Sequence, residues 1–218
     1  MYMKLKLTDA ERAERVSDVL EIKNLMARRQ FYQNYGMVEE EFEELWTKQS
    51  EAVYTQNDLL IQGVENIKKA FLKKKARVGE GYSEMRPLTT PLVRLAMDAR
   101  TAQGFWYSLG HKSPVGEKGK WVNGRICVDF VKEDGEWKIW RLLSGCDLTL
   151  VAGTNRTDKY SEPHMLCDGE LEMADVENVW RVKVGNFFDP TYNWSPWPEL
   201  PKPYKTWEEM VKNVPDCI

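Results

Sequence analysis

The chain has 218 residues, 42% of them hydrophobic, and a formal charge of −3 with acidic and basic side chains interspersed. That length holds one domain with an extension, or at most two small domains, and the apolar share can support a real core. No basic stripe is long enough to neutralise a nucleic-acid backbone, and no apolar run approaches the ~20 residues that span a bilayer. Neither nucleic acid nor membrane is therefore an expected partner.

The N-terminal stretch MYMKLKLTDAERAERV lacks an apolar core and a small-residue cleavage site. Together with Cys127, Cys146, Cys167 and Cys217, which are widely spaced and form no CxxC, this favours a cytoplasmic protein with free thiols. Thr8-Asp9-Ala10-Glu11 fits a capping box. A long helix is expected from there to about Tyr35, with Val16, Val19, Leu20, Ile22, Leu25 and Met26 at helical spacing and Gly36 as its stop. A second helix is expected over 38–48, burying Phe42, Leu45 and Trp46. Short strands follow at 52–54 and 59–61. A third helix begins after Gly63 with Val64, Ile67 and Phe71 inward, and ends in the solvated run Lys73-Lys74-Lys75. Residues 73–85 read as a polar loop.

Extended segments dominate next. Residues 88–97 contain Pro91 and suit an edge or bulged strand. Residues 101–109 alternate and are aromatic. Residues 120–143, KWVNGRICVDFVKEDGEWKIWRLL, read as a hairpin turning at Asp134-Gly135, because glycine reaches positive φ without steric cost. After about residue 150 the chain is polar, then rich in proline and aromatics. It is too proline-rich for a regular helix and too aromatic for a disordered linker. The expected organisation is an α+β domain over 1–150 and an extension over 151–218 that packs on the domain or on a neighbouring subunit.

The words IKNLMARRQFYQNYG, FEELW, QGVENIKKAF, PLTTPLVRLAMDARTAQGFW and WVNGRICVDFVKEDGEWKIW, in this order, resemble the SnoaL-like branch of the nuclear-transport-factor-2-like superfamily. The ending TYNWSPWPELPKPY resembles that of a longer-tailed subgroup. The resemblance implies a cystatin-like cone: three N-terminal helices packed on a strongly curved antiparallel sheet that encloses a pocket. It also implies proton-transfer chemistry on hydrophobic, oxygenated aromatic or polycyclic small molecules without an organic cofactor or metal, as in the dehydratases, diaryl lyases, isomerases and cyclases of the superfamily. A homodimer or homotrimer is implied too. Because the superfamily also holds binding modules, a non-catalytic carrier and an assembly module stay open as alternatives.

The dehydratase pattern uses a tyrosine closing the first helix, a nearby aspartate and a strand histidine. Tyr32 matches the tyrosine by context, with Asn34 and Tyr35 beside it and no aspartate following. Where longer-tailed relatives carry histidine, this chain has Arg86 before Pro87 and Arg141 after Trp140. A histidine base is therefore not carried over. A tyrosine–arginine site takes its place: a guanidinium favours the phenolate and stabilises a developing oxyanion, but cannot itself accept a proton. In this reading Tyr32 shuttles the proton, and Arg86 and Arg141 stabilise charge. Strict alternation from Trp137 through Ile139 places Arg141 inward, where it reads equally as a structural ion pair. Asn123 and Arg125 share a strand face with Asp129, so Arg125 is either a positioning residue or that carboxylate's partner. Tyr54 and Trp106 are candidate pocket walls or core. His111 and His164 read as exposed or structural, with His111 the candidate at a pocket rim.

Overall fold

The computed structural model describes residues 6–57, 59–75, 81–113, 115–155, 176–181, 198–210 and 212. The expected position of His164 lies outside them. Helix α1 (Asp9–Tyr35) starts at the capping box: the Thr8 hydroxyl accepts from the Glu11 N–H at 3.2 Å, and the Glu11 carboxylate accepts from the Thr8 N–H at 2.7 Å. It ends at Gly36 in the left-handed region. Next come α2 (Val38–Glu44), β1 (Val53–Gln56), β2 (Leu59–Gln62) and α3 (Val64–Lys75). Strands β3 (Ser83–Met85), β4 (Leu88–Leu95), β5 (Thr101–Ser113), β6 (Lys120–Glu133), β7 (Glu136–Val151) and β8 (Val179–Arg181) complete the order.

The strands form one open sheet in the order β3-β5-β6-β7-β1-β2-β8, with β4 also pairing β5. The class is α+β, as expected, but the sheet is mixed rather than antiparallel, because β1 runs parallel to β7. β1 enters from the helical layer, so no hairpin imposes an antiparallel direction on it. Two short strands fall where the sequence reads as loop or extension. β3 pairs the far end of β5, and β8 pairs β2. The β6–β7 turn has Asp134 at φ 50° and Gly135 at φ 88°, the paired positive values of the favoured two-residue hairpin turn.

Helices α1, α2 and α3 cover one face of the sheet. Ile22, Leu25 and Met26 of α1 meet Trp106, Val128, Phe130 and Ile139 in the main core. The opposite face buries a smaller cluster of Val53, Leu60, Phe105, Cys127 and Leu143. Register shifts at Thr89/Leu92, Asn123/Gly124 and Asp129/Phe130 bend the strands. The third changes which residues face the helices. Phe130 pairs Ile139 while Asp129 pairs Arg141, so Trp140 is an extra residue in β7. Alternation is broken there, and Arg141 lies on the outer face with Asp129 rather than inward with Trp137 and Ile139.

Residues 198–210 pack on that outer side. Tyr204 and Met210 bury against Ala96, and the Met97 N–H donates to the Tyr204 carbonyl at 3.1 Å. Trp207 lies 4.4 Å from Trp140, ring to ring, and its ring faces the Arg141 guanidinium at 5.6 Å.

Candidate active site

The helix-covered face carries a row of inward side chains on neighbouring strands. Gln56 of β1 pairs Ser144 of β7, Ser144 pairs Ile126 of β6, and Ile126 pairs Trp106 of β5. Tyr54 sits two residues before Gln56 on the same side. The last turns of α1 face this row. Arg29 extends the buried stripe of Ile22, Leu25 and Met26 and is itself buried. Gln33 lies one turn further on. Between β3 and β4 the chain passes tightly over Gly110, where a Cβ would stand 1.9 Å from the Met85 carbonyl oxygen and 2.7 Å from the Arg86 Cα. That crossing brings Glu84 and Arg86 to the same place.

These elements enclose a polar cavity of about 30 Å³ lined by Arg29, Gln33, Tyr54, Gln56, Glu84 and Arg86 among others. A second cavity of about 20 Å³ adjoins it and shares Gln33 and Glu84 as its wall. Each space is about the size of a single water.

Two carboxylate–guanidinium pairs frame the site. Glu41 of α2 is fully buried and pairs with the Arg29 Nε at 3.2 Å. It also accepts from Trp46 Nε1 at 3.2 Å and from the Gln33 amide. It thus holds Gln33 by a hydrogen bond and Arg29 by charge, the Arg29 Nε being close to it without a hydrogen bond. Glu84 is different. It accepts from Arg86 and from the Tyr82 hydroxyl, its side chain is 6% exposed, and it lines both cavities. The Tyr54 hydroxyl donates to the Gln56 side-chain Oε1 at 3.4 Å.

Of the residues singled out in the sequence, the cavity gathers Arg86 and Tyr54. Trp106 is buried in the core beside them. Tyr32 lines the second, smaller cavity, and its hydroxyl donates to Glu44 of α2 at 2.7 Å, with Arg28 at 3.3 Å from the same carboxylate. The bond to Glu44 raises the phenol above its ordinary value, the reverse of what a guanidinium neighbour would do. Tyr35 is exposed against Phe31. Arg125 faces outward, its Nε donating to Asp147 at 3.0 Å. Burial nevertheless pushes the Asp147 carboxyl up from its usual range, outweighing that partner. Asp129 accepts from Gln103 at 3.0 Å. Asn123 is half-buried on β6 at the first β6–β7 register shift. The His111 Nε2 lies 3.2 Å from the Ser83 hydroxyl, with Trp121 at its edge.

The residues that sequence reasoning passed over had signals of their own. Arg29 is a charge on an apolar helical stripe, at Met26 plus three and Leu25 plus four. Glu41 falls between Val38 and Phe42 on the buried side of α2. Glu84 and Arg86 are two apart, the spacing that puts side chains on one face of an extended segment. Among the described residues no cluster of three His, Cys, Asp or Glu side chains is arranged to hold a metal ion. No helix among them is long and apolar enough to cross a membrane.

The SnoaL-like domain matches residues 14–142, more than half of the chain and all of the cavity lining but Ser144. The chain belongs to the SnoaL-like family. Solved structures show the same fold at low identity. A Mycobacterium tuberculosis protein of unknown function has 17% identity and a TM-score of 0.59, over 82% of this chain and 99% of that one. A scytalone dehydratase-like protein from Novosphingobium aromaticivorans has 14% identity and a TM-score of 0.57, over 66% and 93%. A hexachlorocyclohexane dehydrochlorinase from Novosphingobium barchaimii has 15% identity and a TM-score of 0.54, over 66% and 97%. No curated protein sequence gives a significant match. The SnoaL-like assignment thus supports a small-molecule enzyme-like fold, with the polar cavity at its helix-covered face.

Proposed function

We propose that the protein is a cofactor-independent lyase of dehydratase type, acting by proton transfer on a hydrophobic, oxygenated ring compound. The observation that carries this reading is Glu84, a buried carboxylate facing the cavity shared by Arg29, Arg86 and Tyr54. Glu84 is the proton acceptor on the lining of the larger cavity, where the other charged groups are Arg29 and Arg86, and these hold a developing oxyanion. The fold relatives named dehydratase and dehydrochlorinase support the class, since both names describe eliminations.

In the proposed step Glu84 takes a proton from the carbon next to the substrate's carbonyl. The C–H electron pair becomes the new C=C bond, and the C–O bond to the neighbouring hydroxyl breaks. The Glu84 acid returns its proton to the departing oxygen, so water leaves and the carboxylate is restored. Arg86, Arg29 and the Tyr54 hydroxyl hold the carbonyl oxygen while it carries charge. Gln33 and Glu84 form the wall between the two small cavities, so substrate entry swings them aside and joins the spaces.

The test is a panel of β-hydroxy cyclic ketones and hydroxylated aromatic ketones, incubated with pure protein without added cofactor. Loss of one water is read by mass spectrometry. Glu84→Gln should lower kcat by ~10²–10⁴-fold with KM and melting temperature near wild type. Full activity in that variant removes Glu84 as the base. A compound that binds but is recovered unchanged identifies a carrier.

A further inference from the structure

A second concave site lies outside the cone. Helix α1 has two apolar faces. Ile22, Leu25 and Met26 enter the core, whereas Val16 is 60% exposed and Leu20 54% exposed. With Val19, these two form the floor of a groove of about 500 Å³. Val93 and Leu95 of β4 build its opposite wall, and Pro203 with Tyr204 of the C-terminal segment closes one side. The volume falls in the range of small-molecule sites, far above that of the polar cavity inside.

Its charge is one-sided. The ionisable side chains on the lining other than the Tyr204 phenol are Arg15, Lys23 and Arg94, all cationic, in a chain whose net charge is −3. Arg15 is fixed at one end. Its guanidinium donates to the Ala96 carbonyl at 2.7 Å and the Met97 carbonyl at 3.3 Å. Lys23 stands at the other end and makes no hydrogen bond or ion pair among the described residues. Eight residues of helix separate the two cations, about 12 Å along the axis. The apolar floor lies between them.

We propose that this groove binds an amphipathic carboxylate, a medium-chain fatty acid or a molecule of that chemistry, with the carboxylate at Lys23 and the hydrocarbon along Val16, Leu20 and the β4 wall towards Arg15. An ammonium with no partner among the described residues, beside a strip of exposed aliphatic side chains, matches that ligand in both its parts. A neutral alcohol matches one part only, and an acidic surface lacks the tail.

The probe is decanoate, titrated calorimetrically into the 218-residue chain, with decanol and octanoate as comparisons. One decanoate should bind per chain. Octanoate should bind more weakly by roughly fourfold for each methylene lost, the increment of buried hydrocarbon. Decanol should bind about tenfold more weakly. Lys23→Glu should weaken decanoate by about tenfold or more and leave decanol unchanged. Leu20→Asn should weaken both. Arg86→Met, inside the cone, should change neither. The proposal is overturned if decanoate fails to bind at millimolar concentration, or binds in several copies untouched by Lys23→Glu. It is equally overturned if binding follows Arg86→Met, which places the ligand in the cone. A concentration-dependent dimer that Leu20→Asn abolishes, without decanoate binding, would assign the groove to a second copy of the chain instead.

Discussion

Glu41 is a single carboxylate on which several buried donors depend. It is fully buried and takes the Arg29 guanidinium, the Trp46 indole and the Gln33 amide together. Such a pair need not be more stabilising than an apolar substitute, since both charges lose their hydration on burial. Removing one partner is another matter, because the other charge stays behind. Glu41→Ala should therefore lower the unfolding free energy by ~3–5 kcal/mol in urea denaturation. The double variant Glu41→Leu with Arg29→Met should recover much of that loss. A single variant as stable as wild type would show that Arg29 reaches water, contrary to its burial. Cys127 is the converse case. Burial, helped by Asp129, pushes its thiol far above the ordinary range, so it is an inert packing group.

At the scale of elements, the helices and the long hairpin are legible in the sequence because their signals are local. A capping box, an apolar period and an Asp-Gly turn fix α1 and the β6–β7 hairpin without knowledge of anything distant. The facing of Arg141 is not legible. One extra residue at Trp140 inverts the alternation, and nothing in WKIWRLL marks where the extra residue falls. Half of the site was likewise hidden, since Arg29, Glu41 and Glu84 meet only through the packing of α1, α2 and the β3–β4 crossing. Arg86 is legible through a resemblance and Tyr54 as a candidate aromatic wall. Glycines inside strands offered a signal, because they mark places where another backbone comes close. At Gly110 that backbone is the Met85–Arg86 crossing. Gly110→Ala should push the crossing outward, costing ~1–3 kcal/mol as overpacked sites do. Because Glu84 and Arg86 ride on it, activity should fall further than stability alone explains. A variant of wild-type activity and stability would mean the crossing can shift without moving the site.

At the scale of the molecule, the sheet has a polar cavity on its helix-covered face and a seal outside. The outer face carries a buried polar row of Gln103, Asp129 and Arg141, and the segment 198–210 lies over it with Trp207 on Arg141 and Tyr204 on Thr101. The Tyr204 hydroxyl lies 3.3 Å from the Thr101 hydroxyl. Burial is the main reason that its phenol is raised above the ordinary value of 10.0, with Asp129 and Asp98 adding to the effect. The sign of the linkage follows. The neutral phenol is favoured by the fold, so its contribution is fully present below the unfolded value near 10 and is lost as pH rises towards the folded one. Tyr204→Phe should cost about 1 kcal/mol at pH 7, the value of one hydrogen bond. Above pH 10 the gap should close and then reverse, because the wild type's unfolded chain is stabilised by ionising its phenol while the folded one keeps it neutral, and the phenylalanine variant has no such proton. Tyr204→Ala should cost ~3–5 kcal/mol at every pH, as loss of a buried ring does. Urea midpoints of the three proteins between pH 7 and 11 measure this directly. A wild-type curve that stays parallel to that of Tyr204→Phe throughout would mean that the hydroxyl is solvated and that the C-terminal segment does not seal the outer face.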